Sequence, residues 1–119
     1  ILLIAGTAIA APPDKFYRAL WMVESSGREG SIIGDSGRAL GPYQIHRAYW
    51  QDSRVPGTYG MVTNEAYARR VVDAYLQRYQ PQAFADGNLE VLARCHNGGP
   101  AGHKKQATLK YWQKVRTHL

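Results

Sequence analysis

Residues Ala19 to Trp50 read A-L-W-M-V-E-S-S-G-R-E-G-S-I-I-G-D-S-G-R-A-L-G-P-Y-Q-I-H-R-A-Y-W. An apolar helix ends in an acid, Glu24. A second acid, Asp35, comes eleven residues later in a glycine-punctuated turn, and a tight G-P-Y-Q-I segment leads onward. Ser25-Ser26-Gly27 stops the first helix, and Gly30, Gly34 and Gly37 divide the next stretch into short pieces. Ser31-Ile32-Ile33 and Arg38-Ala39-Leu40 flank the Gly34-Asp35-Ser36-Gly37 turn as a short hairpin. It is too small to stand except as an appendage to a helical body. Pro42 fits the first turn of a new helix through Ile45, Tyr49 and Trp50.

Upstream, Pro12-Pro13-Asp14 is a helix-start signal with a capping carboxylate. Phe16, Ala19, Leu20 and Val23 then keep the 3, 4, 7 spacing of one buried stripe. At about 100° per residue, Glu24 falls at the shoulder of that stripe, beside Tyr17, Leu20 and Trp21. Downstream, Arg54 to Gly60 reads as a loop. Thr63 can cap the clearest helix, in which Ala68, Val71, Val72, Tyr75, Leu76 and Tyr79 recur at helical spacing until Pro81 ends it. Asn88 caps a shorter helix through Leu89, Leu92 and His96, stopping at Asn97-Gly98-Gly99-Pro100. A last helix spans about Ala107 to Arg116, with Leu109, Trp112 and Val115 inward. The expected fold is mainly α, a small helical domain with a minor β-hairpin over residues 12–119.

The composition agrees: 119 residues, 45% hydrophobic and 20% charged, describe one ordinary folded domain. Ile1 to Ala11 is apolar, uncharged and ends in the small-x-small triplet Ala8-Ile9-Ala10. It reads as the remnant of a secretory signal peptide, with a truncated membrane anchor as the alternative. The visible run is well short of the roughly 20 residues of a spanning helix, so no stable membrane insertion is expected. The formal charge of +6 favours a polyanionic partner. Lys104, Lys105, Lys110, Lys114 and Arg116 make the acid-free tail a basic face, and no nucleic-acid-binding motif accompanies it. Cys95 is the only cysteine, which excludes an intrachain disulfide. His46, His96, His103 and His118 lack metal-ligand spacing, so neither metal nor cofactor is expected. Cys95 and His96 diverge by about 100° on a helix and cannot form a thiolate–imidazole pair.

Two carboxylates in contrasting settings are what glycosidic-bond hydrolysis requires. Glu24 lies in the last turn of a helix, against its dipole, and beside aromatic and apolar neighbours. Both effects favour the protonated form that a general acid needs. Asp35 in its polar turn is either a turn former or a hydrated carboxylate that stays ionised. Tyr43 and Gln44 lie where a proline-started helix beside a glycine would leave donors and acceptors for saccharide hydroxyls.

Taken together, E-S-S-G, then G-D-S-G-R-A-L-G-P-Y-Q-I-H-R-A-Y-W, then A-R-C-H-N-G-G-P-A-G and A-T-L-K-Y-W-Q-K-V resemble the invertebrate-type (destabilase) lysozymes, over about Ala19 to Val115. The resemblance implies a lysozyme-like fold and hydrolysis of the β-1,4 bond between N-acetylmuramic acid and N-acetylglucosamine in peptidoglycan. It implies Glu24 as proton donor and Asp35 as nucleophile or stabiliser. Gly41, Tyr43, Gln44, Ile45, His96, Asn97 and Gly98 would line the sugar cleft, with Tyr75 beside them. The implied partners are glycan strands and the anionic wall surface, reached by a secreted enzyme. The chain departs from the family's cysteine-rich habit, and Arg38-Ala39-Leu40 replaces a serine-rich stretch, so the isopeptidase activity of some members is not carried over. A lytic transglycosylase using Glu24 alone and a non-catalytic wall-binding module are the alternative readings.

Overall fold

The computed structural model describes residues 12–119; the segment read as a signal remnant, 1–11, lies outside the described residues. Helix α1, Asp14–Ser25, is followed by three two-residue strands, β1 Ile33–Gly34, β2 Ala39–Leu40 and β3 Ile45–His46. Then come α2 Arg47–Ser53, α3 Glu65–Tyr79, α4 Pro81–Asp86, α5 Leu89–Gly98 and α6 Leu109–Arg116, with short 3-10 turns between them. The fold is mainly α with a minor antiparallel sheet of order β1-β2-β3.

The core forms where helical periodicity is cleanest. Phe16, Ala19 and Leu20 of α1 are fully buried, as are Val71, Val72 and Leu76 of α3, Leu92 and Ala93 of α5, and Val115 of α6. Each large apolar side chain removed from water contributes about 1.5–3 kcal/mol. Helix α3 packs against α2, α4 and α5, and α6 packs on α1 and α5, so the ends of α1, α5 and α6 meet.

Four local expectations are corrected, each for a physical reason. Pro42 does not start a helix. The Gln44 N–H donates to the Gly41 carbonyl at 3.1 Å, and Gly41 and Gln44 both have left-handed φ values, 84° and 52°. The chain therefore turns, with proline's fixed φ at the turn's second position. Ile45–His46 then returns as a third strand, pairing Leu40 with Ile45 and Ala39 with His46. Helix α3 is capped by Asn64, whose Oδ1 accepts the Tyr67 N–H at 2.9 Å, because the Thr63 hydroxyl donates to Gly60 instead. Pro81 ends α3 but also opens α4 from its first position.

In α6 the inward residues are Tyr111 and Val115, whereas Leu109 is 36% exposed and Trp112 only half-buried. Thr108, just before the helix, is buried, and its Oγ1 accepts from Arg94 at 2.8 Å and lies 2.7 Å from the Gly102 carbonyl. Tyr111 faces the end of α1.

Candidate active site

Glu24 sits in the last turn of α1, just before Ser26 closes the helix in a left-handed conformation. Its side chain is 18% exposed. Two groups converge on Oε2: the Tyr111 hydroxyl donates to it at 2.9 Å, and His96 Nε2 lies 3.1 Å away. These neighbours come from α5 and α6. The polar ends of Tyr17 and Trp21 are engaged elsewhere: the Tyr17 hydroxyl donates to Asp73, and the Trp21 indole N–H donates to the Arg28 carbonyl.

Asp35 occupies a turn in which it, Ser36 and Gly37 all have positive φ, at 49°, 57° and 88°. Aspartate tolerates that conformation better than most residues, and the strain there is the kind that aims a functional side chain. Oδ1 is 3.0 Å from Arg38 Nη2 and Oδ2 is 3.0 Å from His46 Nε2. At 45% exposure this carboxylate is both solvated and flanked by cationic or cation-capable groups.

Both acids line one cleft of about 630 Å³, together with Ala39, Gln44, His46, Ala48, Tyr49, Asp52, Tyr75, His96, Asn97 and Gly99. A volume of that size suits a sugar-sized ligand. Tyr75 forms part of the wall, stacked on Tyr49 at 3.7 Å between ring centroids, and burial pushes its hydroxyl up to about 12. Gln44 borders the cleft, but its Nε2 donates to the Ile32 and Gly41 carbonyls at 3.0 and 2.9 Å. Its amide N–H groups therefore brace the sheet.

The placement of three other expected cleft residues is corrected. Tyr43 and Ile45 are core, at 0% and 1% exposure, and Gly41 is buried against the Val62 backbone. Gly98 is half-buried between Asn97 and Gly99 of the cleft wall, close to Thr108. The Tyr43 hydroxyl meets no protein partner among the described residues. Tyr43→Phe is therefore expected to change stability by less than about 1 kcal/mol, since no protein hydrogen bond is lost and an unpaired buried hydroxyl is removed; thermal unfolding checks this.

His46, Tyr49, Asp52 and Tyr111 carried no sequence signal strong enough to mark them as site residues. His46 could have been found had the third strand been recognised, because its pairing with Ala39 places it beside the Asp35 turn. Tyr111 had no local signal at all. Among the described residues, no group of three or more His, Cys, Asp or Glu could hold a metal ion.

A family model described as Destabilase matches residues 19–118. Over 79 residues the chain is 42% identical to a lysozyme of Magallana gigas, covering 65% of this chain and 58% of that protein. Over 102 residues it is 40% identical to Lysozyme 1 of Crassostrea virginica, covering 83% of this chain and 55% of the relative. The chain thus spans little more than half the length of these two proteins. The crystal structure of Tapes japonica lysozyme superposes with a TM-score of 0.76 at 30% identity, covering 90% of this chain and 93% of that one.

Proposed function

The chain belongs to the destabilase family of invertebrate-type lysozymes, and on that premise we propose that it is a muramidase. It hydrolyses the β-1,4 bond between N-acetylmuramic acid and N-acetylglucosamine in peptidoglycan. The observation that carries this reading is the contrast between two carboxylates on one cleft. Glu24 is mostly buried and carries the Tyr111 hydroxyl and the His96 imidazole on a single oxygen. Asp35 is solvated, with Arg38 on one oxygen and His46 on the other.

Glu24 protonates the glycosidic oxygen as the C1–O bond breaks, and the electron pair leaves with that oxygen. Asp35 stays charged beneath the developing oxocarbenium ion and either bonds to C1 or stabilises the cation. Glu24, now a carboxylate, takes a proton from the incoming water. Tyr75 and Asn97 flank the sugar. The exposed Lys104, Lys105, Lys110, Lys114 and Arg116 hold the enzyme to the anionic wall, an attachment that weakens as salt rises. We read 1–11 as the end of a secretion signal. Among the described residues no helix is long and apolar enough to cross a membrane.

Mass analysis of muropeptides released from purified peptidoglycan tests the reaction. Reducing ends are expected, and Asp35→Asn is expected to slow their release by about 10²-fold or more through loss of the negative charge. Anhydro ends made equally fast by Asp35→Asn would replace hydrolysis by a transglycosylase reaction, and no release by the intact domain would leave a binding module.

A further inference from the structure

His96 belongs to the H-N-G-G segment expected to contact sugar, yet its side chain is only 2% exposed and both ring nitrogens are occupied within the protein. Nε2 lies 3.1 Å from Glu24 Oε2 and 3.2 Å from the Tyr43 carbonyl oxygen. Nδ1 lies 2.9 Å from the Tyr49 hydroxyl. A carbonyl can only accept, so the nitrogen facing it carries hydrogen. With hydrogen on Nε2 and the Nδ1 lone pair turned to Tyr49, every contact is satisfied: Tyr49 donates to Nδ1, and Nε2–H is shared between Tyr43 and Glu24. Tyr49 remains a donor because burial holds its hydroxyl well above the usual tyrosine range. Its ring is fixed by stacking on Tyr75 and meets His96 edge to face, at 5.3 Å and 83°.

Tyr111 approaches the same carboxylate from the other side. Its hydroxyl, kept protonated by burial and by the Glu24 charge, donates to Oε2 at 2.9 Å. Oε2 therefore receives two buried donors. No protein hydrogen bond reaches Oε1 among the described residues.

We propose that His96 and Tyr111 are positioning residues that clamp Glu24 Oε2 and so commit Oε1 to the proton transfer, with Tyr49 holding His96 in the required tautomer. The inference rests on Glu24 being the general acid of the proposed muramidase. It moves His96 from the sugar-binding surface to a place behind the reacting group. As Oε1 releases its proton, the charge left on the carboxylate is met by donors already aimed at Oε2, which need no rearrangement. The same two donors hold the carboxylate still while Oε1 accepts a proton from water.

The groups facing Glu24 directly are His96 of α5 and Tyr111 of α6. Tyr49 and Asp52 of α2, Tyr75 of α3, and Asp35 and His46 of the sheet region share the cleft.

Tyr111→Phe, which removes one oxygen and keeps the packing, is the first variant to make. Its kcat is expected to fall about 10-fold, with KM nearly unchanged, as loss of one charge-assisted hydrogen bond predicts. His96→Leu should behave likewise, and His96→Gln, whose amide can supply an N–H near the Nε2 position, should recover much of the lost rate. Unchanged kcat in folded Tyr111→Phe and His96→Leu, with Glu24→Gln inactive, would overturn the clamp and leave the acid assignment standing. An active Glu24→Gln would remove the assignment itself.

Discussion

Glu24→Gln is expected to leave a folded protein that hydrolyses peptidoglycan more slowly by about 10³-fold or more. The amide oxygen can take the place of Oε2 and accept from Tyr111 and His96, so the end of α1 keeps its partners. The amide nitrogen then replaces Oε1 and has no proton to transfer at any working pH. Stability should change by no more than about 1 kcal/mol, because the hydrogen bonds are retained in neutral form. The check is turnover beside thermal unfolding of the same preparation. Turnover within about tenfold of the parent, with an unchanged melting curve, would exclude Glu24 as the general acid.

Gly41→Ala should act on the fold. At φ 84° the residue is in the left-handed region, and an added Cβ would stand 2.2 Å from the Val62 carbonyl oxygen and 2.9 Å from its carbon. Those atoms belong to backbone and cannot swing aside as a side-chain tip can. Strain and overpacking together are expected to cost about 3 kcal/mol or more, lowering Tm by about 10 °C or more in a domain of this size. Gly37 is the internal comparison. Its φ of 88° is similar, but nothing lies within 4 Å of a built Cβ, so Gly37→Ala should cost only about 1–2 kcal/mol, the backbone contribution alone. Equal melting temperatures for the two variants would rule out the close approach of Gly41 to Val62. The comparison also separates the structural role of Gly41 from its expected place in the sugar cleft.

What the chain revealed by itself was local periodicity and punctuation. The buried stripe of α1, the long α3, the Asn88 cap and the hairpin around Asp35 could be read because each signal lies within a few residues of its effect. The G-P-Y-Q segment misled because proline suits both the start of a helix and the second position of a turn. The left-handed Gln44 decides between them, and its side chain shows no preference for that conformation. The two acids were visible, and their surroundings were not. Glu24 meets a tyrosine 87 positions away, on a helix that turns Tyr111 and Val115 inward and leaves Leu109 exposed. Contacts of that range are fixed by packing among α1, α5 and α6, and no spacing rule within one segment encodes them.

Cys95 lies fully buried in α5, its sulfur 3.4 Å from His103 Nδ1 and 3.6 Å from the Pro100 carbonyl. Burial pushes this thiol up and keeps it in its unreactive form. The described fold therefore contains no covalent cross-link for a reductant to cut. Its only sulfhydryl is shielded from electrophiles until the end of α5 opens. Within this chain, the redox potential of the surroundings has no purchase on folded stability, and when Cys95 reacts is governed by how often that pocket breathes.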